Sequence, residues 1–302
     1  MEKAQIPVIS VAVITYNHEN FIAKTLDNIL NQQTEYSLEV IIGEDNSTDN
    51  TRKICKQYAL KDSRIRLLEG GENIGMMKNF IKTLNACSGK YIAYCEGDDF
   101  WTDLNKLQSQ IDYLEKNPAF VGVFHDVSVM ENDIIIRNGY SNYTKDVYEL
   151  NDFLNSNPVS TLSLVFRNVF KNNYPLWIQD CKVADWPLIL CLTEKGPLKY
   201  FAQVMGCYRI HSNGSYYNTT NIDWHKKVMI PTFDAMCRNI NPKTASRKLY
   251  IRKIQESIEL NKLEKNKTDY IKNVFRLILN KQYTQYSFRD LFYLLRDSMS
   301  LR

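Results

Sequence analysis

The chain has 302 residues, 44% apolar and 24% charged, and its 11 Gly and 8 Pro exclude a collagenous or low-complexity protein. Net charge is +4, but residues 243–302 hold fourteen Lys and Arg against six Asp and Glu. That +8 leaves −4 for the first 242 residues, and an acidic globule with a basic tail argues against a nucleic-acid binder organised around its core.

Strand and helix signals alternate from the start. Residues 8–16 (VISVAVITY) form the β-branched run of a strand buried on both faces. Phe21, Ile22, Leu26, Ile29 and Leu30 then recur at helical spacing. Residues 38–42 (LEVII) read as a second strand, ending in the polar cluster GEDNSTDN. A helix through Thr51, Ile54 and Tyr58, a strand at 65–68, a helix at 75–87 and a strand at 90–95 follow. This alternation predicts βαβ units and a mainly parallel sheet, with ligands bound beyond the carboxyl ends of its strands. A helix through Leu107, Ile111 and Leu114 precedes a strand at 120–124, and residues 130–160 suggest a mixed antiparallel region. Further strands are expected at 161–166 and 206–210, with a helix at 187–193 between them. Beyond Pro242 the pattern is helical and basic, and there is no internal repeat.

No apolar run approaches the ~18 residues of a membrane span. The opening MEKAQIPVIS lacks the apolar stretch of a signal peptide. Seven cysteines without a CxxC or Cys/His cluster suggest reduced, buried thiols. A cytoplasmic globular protein is the expectation.

The stretch YIAYCEGDDFW places Glu96, Asp98 and Asp99 directly after an apolar strand. Crowded anions at a strand end call for a compensating cation, and hard oxygen ligands suit Mg2+ or Mn2+. The alternative is a solvated acidic turn that caps the helix near Thr102. In the earlier loop, Ser47 to Asp49 can be explained as helix caps. Glu44 and Asp45 are harder to explain so, and could accept from a base imide or a ribose hydroxyl.

Taken in order, a strand ending in Thr15-Tyr16-Asn17, the loop GEDNSTD, Asn73-Ile74-Gly75 at a helix start, and Glu96-Gly97-Asp98-Asp99 form a specific series. It resembles the inverting glycosyltransferases of family 2, whose nucleotide-sugar-binding domain has the GT-A fold. The match runs over about residues 6–102, and VADWPL and YRIHSNGS extend it to about residue 215. Glu44 and Glu96 replace the family's aspartates, keeping charge on a longer arm.

The resemblance implies an α/β fold with a Rossmann-like central sheet flanked by helices. The glycosyltransferase domain would span 1–240, with its nucleotide-sugar half at about 1–102 and its acceptor half at about 103–240. A helical basic segment, 241–302, would follow. It implies a nucleotide-sugar donor, UDP-linked by expectation, and a glycan or lipid-linked oligosaccharide acceptor in surface polysaccharide synthesis. Thr15, Tyr16 and Asn17 would hold base and ribose, and Asp45 with Glu44 would read the base. Asn73, Gly75 and Asn79 would lie beside the donor, although Asn73 serves equally as a helix cap. Asp98 is the expected metal ligand for Mn2+ or Mg2+, Glu96 would reach the ribose or a metal-bound water, and Asp99 the donor sugar or the loop. Asp185, in Ala184-Asp185-Trp186-Pro187, would be the general base, with Asp180 as fallback; as a helix N-cap it has a structural reading too. His211 would complete the metal or diphosphate site, with Arg209 a weaker diphosphate candidate. Trp101 would stack on a sugar or pack in the core. His18, His125 and His225 receive no assignment.

In the tail, Val274, Phe275, Leu277, Ile278, Leu279, Phe288, Leu291, Phe292, Leu295 and Met299 interleave with Lys272, Arg276, Lys281, Arg289 and Arg296. Such a helix either docks on protein or lies peripherally on the inner face of a membrane. Two other functions stand beside the leading one. A sugar-nucleotide pyrophosphorylase would need a Gly-rich loop after the first strand, which Thr15-Tyr16-Asn17-His18 is not. A non-catalytic nucleotide- or sugar-binding partner in an assembly complex would be separated from an enzyme by donor turnover.

Overall fold

The computed structural model describes residues 8–139, 143–212, 214, 228–280 and 294. Strand β1 (Ile9–Thr15) is buried at every position, as its β-branched run requires. It lies between β2 (Leu38–Glu44) and β4 (Tyr91–Glu96), both parallel to it, and β3 (Ile65–Leu67) pairs parallel with β2. Helices α1 (Ile22–Leu30), α2 (Thr51–Lys61) and α3 (Met76–Ala86) make the crossovers. Helix α1 buries Ile22, Leu26 and Ile29, the stripe seen in its sequence.

After β5 (Phe100–Trp101), helix α4 (Lys106–Lys116) leads to β6 (Gly122–Glu131), β7 (Ile134–Asn138), β8 (Val147–Tyr148) and β9 (Val165–Arg167). Helix α5 (Asp185–Thr193) and β10 (Leu198–Ile210) follow. The sheet order is β3-β2-β1-β4-β9-β6-β10-β5, with β7 beside β6 and β8 beside β10. The β1–β4 half is parallel; β9 then enters antiparallel to both β4 and β6, and β6 pairs parallel with β10. The 130–160 region does turn antiparallel, through β7 on β6 and β8 on β10.

Three strands differ from expectation. Residues Thr161–Ser163 form a 3-10 turn, and β9 begins only at Val165. The reason is local: Trp101 Nε1 donates to the Leu162 carbonyl (2.9 Å) and Gln110 Nε2 to that of Ser163 (3.0 Å), engaging acceptors a strand ladder would use. Strand β6 runs to Glu131. Strand β10 starts at Leu198, and register shifts between Phe201 and Gly206 break the alternation that would reveal it.

The chain forms two compact units. The first holds the sheet and comprises Met1–Glu149, Pro158–Leu176 and Leu192–Gly214. The second gathers Leu150–Asn157, Trp177–Cys191 and Ser215–Arg302. In it, helix α7 (Lys243–Leu263) packs Ile251, Ile254 and Ile258 against Tyr270, Val274 and Leu277 of α8 (Lys267–Leu279). Before them, α6 (Ile230–Asn239) carries Phe233, whose ring meets Trp186 edge-on at 5.3 Å. The first part of the basic tail is therefore a docked helix; Phe288, Leu291, Phe292, Leu295 and Met299 lie outside the described residues, as do His225 and Asn213. All seven cysteines are free thiols, six of them buried. Among the described residues no helix is long and apolar enough to cross a membrane.

Candidate active site

The chain leaves β1 for β2 and β3 on one side and returns to β4 on the other. The loops after β1 and β4 therefore border the crevice where doubly wound sheets bind ligands. Gly97 N donates to the Ile14 carbonyl (2.9 Å), and a Cβ on Gly97 would stand 2.5 Å from Thr15 Oγ1. Only glycine lets the two loops approach this closely.

Thr15 is buried at the end of β1, its carbonyl accepting from Asp45 N (3.1 Å). Tyr16 is 43% exposed, and Asn17 turns the chain in the left-handed region (φ 55°) that Asn tolerates. The backbone N of Asn17 donates to Ser47 Oγ (2.9 Å), and its side-chain oxygen accepts from Thr48 N (2.8 Å). These bonds tie the first and second loops together.

Glu44 and Asp45 are both buried. Glu44 accepts from Ser47 N (2.5 Å) and pairs with Arg52 (2.6 Å). The two oxygens of Asp45 accept from Ile74 N and Gly75 N, each at 2.8 Å, and Asn73 Nδ2 donates to its carbonyl (2.8 Å). Each carboxylate oxygen retains a second lone pair, so capacity to accept from a ligand remains. Gly75, at φ 82°, precedes α3 in a conformation that favours glycine. Asn79 is buried and donates to the Gly43 carbonyl (2.7 Å), a structural duty. Trp101 is likewise 1% exposed, with its indole bonded to Leu162 and Lys106 over its ring, which is the core-packing alternative.

Strand β5 pairs antiparallel with β10, Phe100 opposite Cys207 and Trp101 opposite Gly206. Reading outward, this register brings Arg209 and His211 to Asp98 and Asp99. Arg209 N donates to Asp99 Oδ1 (2.8 Å), and its guanidinium bonds the Asp98 carbonyl while lying over the Phe100 ring (4.4 Å). His211 Nε2 is 3.0 Å from Asp98 Oδ2. Beside His211 and Arg209 a cleft of about 190 Å³ opens toward Phe21, Met130 and Asp133.

His18 enters the same cluster, its Nε2 3.6 Å from Asp98 Oδ2. A strand-end loop is where a ligand-binding side chain belongs, but one imidazole among Thr15-Tyr16-Asn17-His18 carries no spacing signal. The ligand atoms of His18, Asp98 and His211 lie within 4.8 Å of one another, as do those of Glu96, Asp98 and Asp99. Burial works to raise the Asp98 carboxyl, but the His211 hydrogen bond and the neighbouring imidazoles outweigh it and hold Asp98 below the usual range. Burial, then the Asp98 and Glu96 charges, push Asp99 well above it, which favours its protonated form. Burial also lowers His18, which favours the neutral imidazole. Asp98 Oδ1 and Asp99 Oδ2 are buried without a hydrogen-bond partner. Asp98, with Oδ1 unpartnered and Oδ2 facing two imidazole nitrogens, offers a donor set that fits a divalent cation.

Asp185 belongs to the second unit, in the first turn of α5. Its Oδ2 accepts from Asn157 Nδ2 (2.7 Å), and Trp186 Nε1 donates to the Phe153 carbonyl (2.7 Å). Burial raises the Asp185 carboxyl above the ordinary range, outweighing hydrogen bonds from the Trp186 and Asp185 backbone and from Asn157.

A parallel half-sheet with its switch point at β1 and β4, and an acidic loop after β4, defines a GT-A glycosyltransferase fold. S. aureus TarS 1–349 in complex with UDP shares that fold, with a TM-score of 0.64 at 15% identity over 97% of this chain and 90% of that one. Residues 10–173 match the sequence model of Glycosyl transferase family 2, and the chain belongs to that family. An uncharacterised protein of Mycobacterium tuberculosis is 33% identical over 212 residues, covering 69% of this chain. The chain spans only 60% of that relative's length. The UDP-Glc:alpha-D-GlcNAc-diphosphoundecaprenol beta-1,3-glucosyltransferase WfgD of Escherichia coli is 29% identical over 198 residues, 61% of this chain and 74% of WfgD.

Proposed function

We propose that the chain is an inverting glycosyltransferase that moves a sugar from a UDP-linked donor to a glycan or lipid-linked oligosaccharide acceptor in surface polysaccharide synthesis. The observation that carries this reading is Asp98: a carboxylate at the β1/β4 switch point whose Oδ1 is buried without a partner and whose Oδ2 faces the imidazoles of His18 and His211. Family membership, and the UDP-sugar in the name of WfgD, support the donor class.

The nucleotide-sugar half is assigned to about residues 1–102. Thr15, Tyr16 and Asn17 hold base and ribose, and Asp45, supported by Glu44, accepts from the base. Asn73 and Gly75 border the donor, and Glu96 takes the ribose or a cation-bound water. Asp99 orders the loop through Arg209. Asp98 and His211 hold Mn2+ or Mg2+, which supplies positive charge against that developing on the departing diphosphate. Asp185 is the general base: it takes the acceptor hydroxyl's proton while that oxygen forms its bond to the anomeric carbon and the bond to the diphosphate oxygen breaks on the opposite face. A raised carboxyl is the stronger base, which suits Asp185 to this task. A lipid-linked acceptor would bring the enzyme to a membrane surface, and the basic residues that follow α8, Lys281, Arg289 and Arg296, are the contact we assign to it.

Thermal unfolding with UDP, GDP, TDP or CMP, each with and without Mn2+, tests the reading. A ligand at 100 times its Kd stabilises by about 2.7 kcal/mol. A Mn2+-dependent shift with UDP is expected. A shift with another nucleotide overturns the donor, and no shift with any favours a non-catalytic partner.

A further inference from the structure

His18 and His211 flank one carboxylate oxygen. His211 Nε2 stands at hydrogen-bond length from Asp98 Oδ2, 3.0 Å. His18 Nε2 is 3.6 Å from the same atom, beyond that length, and the two rings meet edge-on at 5.9 Å. Ligands bound about 2.1 Å from a cation stand roughly 3.0 to 3.4 Å apart at octahedral or tetrahedral angles, so the spacing is close to that of a coordination sphere.

The rest of the His18 environment points the same way. Its Nδ1 lies 3.2 Å from Thr15 Oγ1, a buried hydroxyl that can accept the Nδ1 proton and leave the Nε2 lone pair toward Asp98. Its backbone is fixed, with N donating to Thr51 Oγ1 (2.8 Å) and the carbonyl accepting from Phe21 N and Ile22 N (both 2.9 Å). Ring orientation and backbone are thus held by groups that do not touch Asp98.

We propose that His18 is the third protein ligand of the divalent cation, making the site two imidazoles and one carboxylate. This rests on the cation reading given above and goes beyond it in ligand set and selectivity. Two nitrogen donors suit Mn2+, Co2+ or Zn2+ and disfavour Mg2+, a hard ion that takes oxygen ligands. The imidazole also ties the loop that receives the nucleoside directly to the ion.

The test uses the full chain and Mn2+, alone and with UDP, and reads bound ion by electron paramagnetic resonance rather than by turnover. Wild type should show two imidazole nitrogen couplings on bound Mn2+ and bind Mg2+ at least about 10-fold more weakly. His18→Gln should lose one coupling and weaken Mn2+ by about 10-fold or more, as His211→Gln does. Unchanged affinity and couplings in His18→Gln, with Mn2+ lost from His211→Gln and Asp98→Asn, overturns the ligand assignment and leaves the cation reading standing. Mn2+ held equally by all three variants, or absent from wild type with UDP present, overturns the cation reading and the ligand assignment with it. The nitrogen count in wild type requires no variant, so a variant that misfolds leaves the test intact; a single coupling there overturns the proposal.

Discussion

The imidazole of His211 and the carboxylate of Asp98 stand 3.0 Å apart across 113 residues of chain. They meet because β5, two residues long, pairs with β10 so that Cys207 faces Phe100. Each residue lies beyond the end of its own strand, and the shared register carries them to one point. Arg209 reinforces the meeting from both ends, its backbone N on Asp99 and its guanidinium on the Asp98 carbonyl.

Asp98→Ala should abolish metal-dependent turnover and remove the Mn2+-dependent thermal shift with UDP. Its ligand-free stability should fall by about 1 kcal/mol with the fold intact, because His211 Nε2 loses its hydrogen-bond partner. Wild-type rates at saturating Mn2+ would sink the assignment of Asp98.

Asp185→Asn should leave UDP affinity nearly unchanged while transfer falls by about 10²–10⁴-fold, the usual cost of losing a positioned base. The measurement pairs nucleotide titration with single-turnover transfer. A parallel loss in both would make Asp185 structural, as first-turn residue of α5.

Asp45→Ala should destabilise the fold by about 1 kcal/mol, because Ile74 N and Gly75 N lose their acceptor. The lower end of the range applies since Ile74 is 40% exposed and water can substitute. Urea unfolding checks it, and Asp45→Asn, which keeps one acceptor oxygen, should recover part of the loss.

Lys106 is fully buried, its ammonium bonded to Gln110 Oε1 (2.8 Å) and lying over the Trp101 ring, and burial pushes it down to about 7. Between pH 7 and its unfolded value near 10.5 the unfolded chain holds a proton that the folded chain has lost, so stability should rise with pH across that window. Lys106→Met should remove this component. Urea unfolding of both proteins at pH 7 and pH 9 reads the difference, and identical pH slopes would contradict it.

Much of this was legible along the chain because its signals are local. Strand β1 announces itself by a β-branched run buried at every position, and α1 by an apolar stripe at helical spacing. Acidic and polar residues bunch at strand ends, where their order, from Thr15-Tyr16-Asn17 to Glu96-Gly97-Asp98-Asp99, identifies the family before any distance is known.

Other features required the tertiary structure. Phe100–Trp101 is too short to show a period, yet its pairing with β10 sets the site. Asn79 and Trp101 resemble ligand contacts in sequence, but their side chains turn inward to Gly43 and Leu162. Nothing along the chain says that residues 150–157 and 177–191 join the C-terminal helices. His18 stands at no regular spacing from Asp98 or His211 and meets Asp98 through the parallel pairing of β1 with β4. Periodicity and propensity act over one or two turns of chain and can be read in order. Ladder pairing and side-chain direction depend on residues a hundred positions away, and only the folded chain brings those together.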